Sequence, residues 1–257
     1  LIALAPGSDR SLRPILLGAH YDTCGDVPGA DDNAAAVAVL LDVAARIANS
    51  APERSVVFAF FDAEEPPNFL SQSMGSIRFY EDQKETDFHC AIVMDLVGHD
   101  VPFSGLEDLL FVMGMESDPG LGDVIVECPV DSAIRVVPTL SRYVGDMSDH
   151  HIFRVNEVPY LFLSCGTWDH YHQPSDTPEK LNYAKIDGIS RYLTALTSAI
   201  SAKRMSGPFE GYDSTSIEVG FIERVLYPVM ARMGVPLKVK GRRDIDRLVD
   251  MLMGQLG

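Results

Sequence analysis

The sequence predicts an α/β fold: an open sheet of buried strands with helices packed against it. The first observation is the run Val56-Val57-Phe58-Ala59-Phe60-Phe61, apolar throughout and rich in β-branched and aromatic residues, the pattern of a strand buried on both faces. The second is a preceding stretch in which apolar residues recur at helical spacing, at Val37, Leu40, Leu41, Ala44 and Ile47. The third is what ends the apolar run, Asp62-Ala63-Glu64-Glu65-Pro66-Pro67, where the prolines forbid continuation of the strand. Glu64 and Glu65 are thereby delivered to a sheet edge, and the crevice outside strand ends is where open α/β sheets bind ligands. Adjacent acids repel unless a cation or a shared proton intervenes, so the pair suggests one metal ligand and one proton carrier. Alone, a Glu-Glu pair is more often a solvated acidic turn.

A chain of 257 residues with 46% hydrophobic content can bury one large core. Its formal charge of -16 excludes a basic stripe for phosphate, so nucleic acid is not an expected partner. An acidic cleft instead favours cationic groups such as free amines. No apolar run approaches the roughly 20 residues that cross a bilayer, and no signal peptide opens the chain. Because Leu1 to Ala5 reads as a strand already under way, a segment upstream is expected. Cys24, Cys90, Cys128 and Cys165 lack C-x-x-C spacing, which argues against a thiolate zinc site and leaves free thiols as the default, with disulfides the alternative for an exported protein.

In chain order, a first strand, a Pro6-Gly7-Ser8-Asp9 turn and a second strand, Ile15-Leu16-Leu17-Gly18-Ala19-His20, lead into Tyr21-Asp22-Thr23. In an extended chain His20 and Asp22 share a side, so the carboxylate can hold the second imidazole nitrogen, as metal-bound histidines require. Pro28-Gly29-Ala30-Asp31-Asp32-Asn33 then opens a helix over 34–47, with more acid than a helix cap needs. After the Glu64-Glu65 strand, a helix over about 73–82 precedes the buried strand 90–98, which contains Asp95. A buried carboxylate is costly unless it meets a cation or a proton.

Further strands are expected at 109–113 and 135–140 around a helix at 121–128, and at 159–165 after the polar loop holding Ser148, Asp149 and His150. The loop Asp169-His170-Tyr171-His172-Gln173-Pro174-Ser175-Asp176-Thr177-Pro178 precedes a helix over 183–203 and brings a second histidine source to the same sheet edge. Gly207-Pro208 breaks the pattern, and helices over 216–233 and 242–256 complete the chain. This organisation reads as a catalytic domain at 1–206 with a helical extension at 207–257 packed on it, since a module of about 50 residues is marginal alone.

His20, Asp32, Glu65, Asp95 and His172 together supply imidazoles and carboxylates, with Glu64 left over. Mixed nitrogen and oxygen ligands suit catalytic zinc, with manganese or cobalt as substitutes. Two ions bridged by one carboxylate can ionise a water, whose proton Glu64 would pass to a leaving amine; this is what amide hydrolysis requires.

At this point the chain resembles the co-catalytic di-zinc aminopeptidases, a family that includes bacterial leucyl aminopeptidase, aminopeptidase S and the glutamate carboxypeptidases. The resemblance rests on His20-Tyr21-Asp22-Thr23, Gly29-Ala30-Asp31-Asp32-Asn33, Asp62-Ala63-Glu64-Glu65-Pro66, Val93-Met94-Asp95-Leu96, Ser148-Asp149-His150 and His172-Gln173-Pro174-Ser175-Asp176-Thr177. Each is weak singly, and their shared order is specific. The resemblance implies a three-layer sandwich with a mixed, mainly parallel sheet flanked by helices. It implies two zinc ions bridged by Asp32, with His20 and Asp95 completing one site and Glu65 and His172 the other. Glu64 becomes the general base and Asp22 the partner of His20, while Ser148 and Asp149 shape the substrate side. The implied substrates are peptides with a free N-terminus, and an exported location is favoured.

Two departures carry consequences. Many relatives have Ala-Ser-Gly after Asp-Asn, where this chain has Ala34-Ala35-Ala36, a change confined to helix packing. The bacterial leucyl aminopeptidase has a tyrosine three residues before the serine matching Ser148; here that place is Gly145, which leaves Tyr143 as the candidate to contact the carbonyl oxygen. The chain also resembles glutaminyl cyclase-like transferases, which share the fold and use one zinc, through Phe60-Phe61-Asp62, Met94-Asp95-Leu96-Val97-Gly98 and Ser148-Asp149-His150. A non-catalytic ectodomain of this fold, like that of transferrin receptors, is expected to have lost ligands, and here they are all present.

Overall fold

The computed structural model describes residues 1–232, 234 and 238–256. Seven strands, β1 (Ile2–Ala5), β2 (Ile15–His20), β3 (Val56–Phe61), β4 (Cys90–Met94), β5 (Leu109–Met113), β6 (Arg135–Thr139) and β7 (Tyr160–Ser164), form one sheet in the order β1-β3-β2-β4-β7-β5-β6. Strands β3, β2, β4 and β7 are mutually parallel. At one edge β1 pairs antiparallel with β3, and at the other β5 pairs antiparallel with β7 and parallel with β6. The result is the mixed, mainly parallel sheet that the family resemblance implies.

Alternating side chains divide the core into two layers. Ile15, Leu17, Phe58, Ile92 and Met94 enter one layer with α1 (Ala35–Ala48) and α5 (Tyr183–Ala202), through Leu40, Val43, Ile189 and Leu193. Leu16, Phe61, Ala91 and Val93 enter the other with α2 (Gly75–Asp82) and the short α4 (His151–Val155), through Phe79, Ile152 and Phe153. Each fully buried side chain of this size contributes about 1.5–3 kcal/mol. A register slip of one residue would exchange the two faces, so apolar packing on both sides fixes the register. In that register His20 lies beside Phe61 and Gly18 beside Val93, which brings the carboxyl ends of β3, β2 and β4 out level with one another.

The remaining helices are α3 (Pro119–Glu127), α6 (Thr215–Val225), α7 (Tyr227–Arg232) and α8 (Arg242–Leu256). Asp118 caps α3 by accepting the Gly120 N–H at 2.7 Å. The helix expected over 216–233 is instead divided between α6 and α7. Pro228 explains the break, because it lacks an N–H and its ring opposes the carbonyl of Arg224 one turn earlier; residue 233 lies outside the described residues. Strand β4 is also shorter than expected, because Leu96 takes a left-handed conformation (φ 54°) directly after Asp95. Helix α6 packs on β6, and Phe221, Ile222, Leu226, Ile245 and Leu248 join the same apolar layer as α1 and α5. No helix among the described residues is long and apolar enough to cross a membrane. All four cysteines are free.

Candidate metal centre

His20, the last residue of β2, is fully buried among acids. Its Nδ1 is 3.2 Å from the Asp22 carbonyl oxygen and 3.5 Å from Asp22 Oδ1, which leaves Nε2 facing the cluster. That Nε2 is 3.4 Å from Asp32 Oδ1, 3.4 Å from Asp95 Oδ1 and 4.0 Å from Glu64 Oε2. On the opposite side His172 Nε2 is 3.1 Å from Asp32 Oδ2 and 3.0 Å from Glu65 Oε2. Asp32 thus presents one oxygen to each imidazole. The structure brings together all five residues expected to hold metal, with Glu64 beside them.

Local backbone explains how each arrives. Asp32 sits in an irregular turn, Ala30–Ala34, entered through Gly29 at φ 60°. A Cβ on Gly29 would lie 2.3 Å from Thr23 Cγ2 and 2.6 Å from the Asp32 carbonyl oxygen, so glycine is required there for space as well as for conformation. The carboxylate of Asp176 accepts the N–H groups of Asp31 and Asp32, and Asn33 Nδ2 donates to the Met94 carbonyl at 3.0 Å. Asp31 turns away from the cluster and accepts the Gly98 N–H at 2.6 Å, with its other oxygen 2.6 Å from His99 Nδ1. Asp22 accepts the N–H groups of both Glu64 and Glu65, at 3.2 and 3.1 Å. Ala63, Leu96 and His172 have φ of 57°, 54° and 56°, a region L-residues seldom adopt and that costs on the order of 1–3 kcal/mol. These positions precede Glu64, follow Asp95 and carry the second imidazole.

The buried acids shift one another's titration. Burial first, then the charge of Asp95, pushes the Glu64 carboxyl up to about 10. Burial and then Asp32 push Glu65 up to about 8, and burial raises Asp95 as well. Burial disfavours the His20 imidazolium, yet Asp95, Asp22 and Asp32 outweigh it and raise that group well above its ordinary value. Burial and mutual repulsion thus both work against the ionised carboxyls of Glu64, Glu65 and Asp95. A divalent ion reverses each of these tendencies, taking neutral imidazole and ionised carboxylate together. Glu65 Oε1 is buried with no hydrogen-bond partner, an unmet acceptor that suits such an ion. The donor atoms of His20, Asp32 and Asp95 lie within 4.8 Å of one another, as do those of Cys24, Glu65 and His172, so the residues present fit metal.

Other expected site residues are placed differently. Ser148 and Asp149 are fully buried, so neither forms an open wall of the cleft. Ser148 lies beside Asp95, and Asp149, pushed up to about 7 by burial, acts on Glu64 through its charge. The Tyr143 hydroxyl is taken up by the extension: it donates to Asp246 at 2.5 Å and accepts from Arg242 Nη1 at 3.2 Å. Tyr143 also lines the apolar cavity beside Asp95 and Tyr171.

Sequence reasoning names Tyr171 and Asp176 within the His172 loop but gives neither a role. The Tyr171 ring stacks on His172 at 3.8 Å, and burial followed by the charges of Asp32, Asp95, Glu65 and Glu64 raises its hydroxyl above the ordinary range. Its position directly before His172 was the available signal. Beside Asp95 and Tyr171 opens an apolar cavity of about 380 Å³, lined by Phe111, Phe162 and, from the extension, Ile222, Ile245 and Leu248.

Imidazoles and carboxylates gathered at the carboxyl edge of a mainly parallel sheet, with a spare acid beside them, define a metallohydrolase type of site. Residues 1–197 match the model of Peptidase family M28, and the chain belongs to that family. The Escherichia coli protein YfbL, itself uncharacterized, is 28% identical over 209 residues, covering 68% of this chain and 64% of that protein. Among solved structures, BSAP, a zinc aminopeptidase from Bacillus subtilis, matches with a TM-score of 0.63 at 20% identity, over 83% of this chain and 51% of that one. A glutaminyl cyclase from Bacteroides thetaiotaomicron matches at 0.56 and 17% identity, over 77% and 76%. At these identities the solved structures share the fold. The chain spans less than two thirds of the length of YfbL and about half that of BSAP.

Proposed function

We propose that the protein is a zinc-dependent aminopeptidase that hydrolyses the first peptide bond of peptides with a free N-terminus. The observation that carries this reading is Asp32, with one oxygen 3.4 Å from His20 Nε2 and the other 3.1 Å from His172 Nε2. A carboxylate shared between two imidazoles suits a pair of divalent ions, one held by His20, Asp32 and Asp95 and the other by His172, Asp32 and Glu65. Zinc fits these donors, manganese and cobalt are substitutes, and BSAP is a zinc aminopeptidase of the same fold. When bound, the ions supply Lewis acidity for the scissile carbonyl and acidify water.

The chain's own residues do the rest. Glu64 stands outside both donor sets, 4.0 Å from His20 Nε2. It takes a proton from the attacking water and returns it to the leaving nitrogen as the C–N bond breaks, so that carboxylic acid and amine are the products. Tyr171 donates its hydroxyl hydrogen to the carbonyl oxygen as charge develops there. Asp22 holds the His20 ring and the Glu64 backbone in place. The carboxylates around the site attract the substrate's ammonium group, and the apolar cavity beside Tyr171 receives the side chain of the first residue.

The test is a screen of aminoacyl anilides and short peptides, with and without chelator, beside N-acetylated versions. Chelator-sensitive release from the free amines alone is expected; equal cleavage of acetylated substrates would overturn the aminopeptidase reading. The likeness to a glutaminyl cyclase supports a second reading, single-zinc acyl transfer. Metal analysis separates them, near two zinc per chain for the peptidase and near one for the cyclase.

A further inference from the structure

We propose that Cys24 is an additional metal ligand on the Glu65–His172 side of the centre, so that one half of the site carries sulfur and the other carries only nitrogen and oxygen. This rests on the metallopeptidase reading above and goes beyond it, because the Cys24 position belongs to neither donor set.

The geometry comes first. Cys24 Sγ, a Glu65 carboxylate oxygen and a His172 ring nitrogen lie within 4.8 Å of one another. Zinc bonds of about 2.0–2.3 Å place tetrahedral donors roughly 3.3–3.8 Å apart, so about 1 Å of side-chain rotation closes the group on one ion. The neighbouring Thr23 lies close against Gly29 of the turn that carries Asp32, where a Cβ would come within 2.3 Å of the Thr23 methyl. An independent observation points to the same ion. Glu65 is only 4% exposed, and its Oε1 is buried with no hydrogen-bond partner. Cys24 also differs from the other cysteines, being partly exposed where Cys90, Cys128 and Cys165 are buried.

The consequence is a division of labour. With Cys24, the Glu65–His172 half has four donors, counting Asp32, and four protein donors close a zinc site. The His20–Asp95 half retains three and an open position. Glu64 stands on that open side, 4.0 Å from His20 Nε2, where water would need a proton acceptor. On binding, the thiol S–H bond breaks, a sulfur–metal bond forms and the proton passes to solvent.

Loading the protein with cobalt tests this without reference to activity. The wild type should show a near-ultraviolet sulfur-to-cobalt charge-transfer band, and Cys24→Ser should lose it while keeping the visible bands of nitrogen- and oxygen-bound cobalt. Cobalt affinity on that side should fall by about 10-fold or more, at least the loss expected when an outer partner of a ligand is removed. Alkylation of the wild type provides a measurement that needs no variant: iodoacetamide should modify Cys24 in metal-free protein, and zinc should protect it. Bound cobalt without the band, a band that survives Cys24→Ser, or alkylation indifferent to zinc would each overturn the sulfur ligand alone. Failure to retain any cobalt would overturn the metal reading along with it.

Discussion

The carboxylate of Asp176 accepts the N–H of Asp32 at 3.1 Å, across 144 residues of chain. Its other oxygen accepts the N–H of Asp31 at 2.9 Å, so one buried side chain orients the turn whose carboxylate spans the two imidazoles. Asp176→Ala should weaken metal binding by about 10–100-fold, in proportion to other losses of a ligand's support. Two buried N–H groups left without an acceptor should cost about 1–3 kcal/mol each. Asp176→Asn, which keeps an acceptor oxygen, should fall between the alanine variant and the wild type. Chelator competition and thermal unfolding check both; an alanine variant with unchanged metal affinity would remove Asp176 from the support of the site.

Glu64 contributes no donor to either proposed metal set, so Glu64→Gln should retain metal while turnover falls by about 10²–10⁴. Atomic absorption and kcat on an aminoacyl anilide measure the two quantities separately. Full turnover in the variant would assign the proton transfer to another group.

How much of this was legible follows the kind of contact involved. Strands such as Val56–Phe61 and Tyr160–Ser164 announced themselves because burial on both faces demands continuous apolar sequence. The gathering of His20, Asp32, Glu65, Asp95 and His172 was legible because they follow strand ends or lie in loops at one sheet edge. The role of Asp176, though it stands in a quoted motif, was not legible because it acts on backbone N–H groups, which leave no trace in the identity of the residues they belong to. The hydroxyl partners of Tyr143 were not legible, because Asp246 and Arg242 lie about a hundred residues away, on or at the start of a helix whose docking no local pattern encodes, whereas Tyr143 itself lines the apolar cavity beside Asp95. The burial of Ser148 and Asp149 is likewise a matter of tertiary packing, with Ser76 of α2 beside Asp149.

The apolar cavity sets an expectation for substrate size. Cavities of ~150 Å³ bind benzene, so about 380 Å³ takes an aromatic or large aliphatic side chain. Ile222 and Leu248, on α6 and α8, line it from beyond residue 197, where the family match ends. Ile222→Phe should lower kcat/KM for a phenylalanyl anilide by about 10-fold or more, the scale set by misfitting a methylene or two, while an alanyl anilide changes little. Equal losses on both substrates would mean that the cavity does not receive the side chain.

Glu116 provides a pH-dependent term in stability that is separate from the metal centre. Its Oε1 accepts the Ser141 N–H at 2.7 Å, its Oε2 is buried without a partner, and burial pushes the carboxyl up from 4.5 to about 7. A raised carboxyl favours the folded state fully below about pH 4.5 and loses that contribution as pH rises through about 7. The shift corresponds to about 3 kcal/mol. Glu116→Gln should therefore flatten the decline in unfolding free energy between pH 5 and 8. Denaturant titrations at both values check the difference, and parallel curves for variant and wild type would contradict it.

Asp22 touches the centre at three points, through the His20 ring and the backbone of both Glu64 and Glu65. The ring ends β2 and the acid pair follows the neighbouring β3, yet they hang from a single peg. One short side chain thereby ties the position of the imidazole to that of the proton carrier, across the gap between two strands.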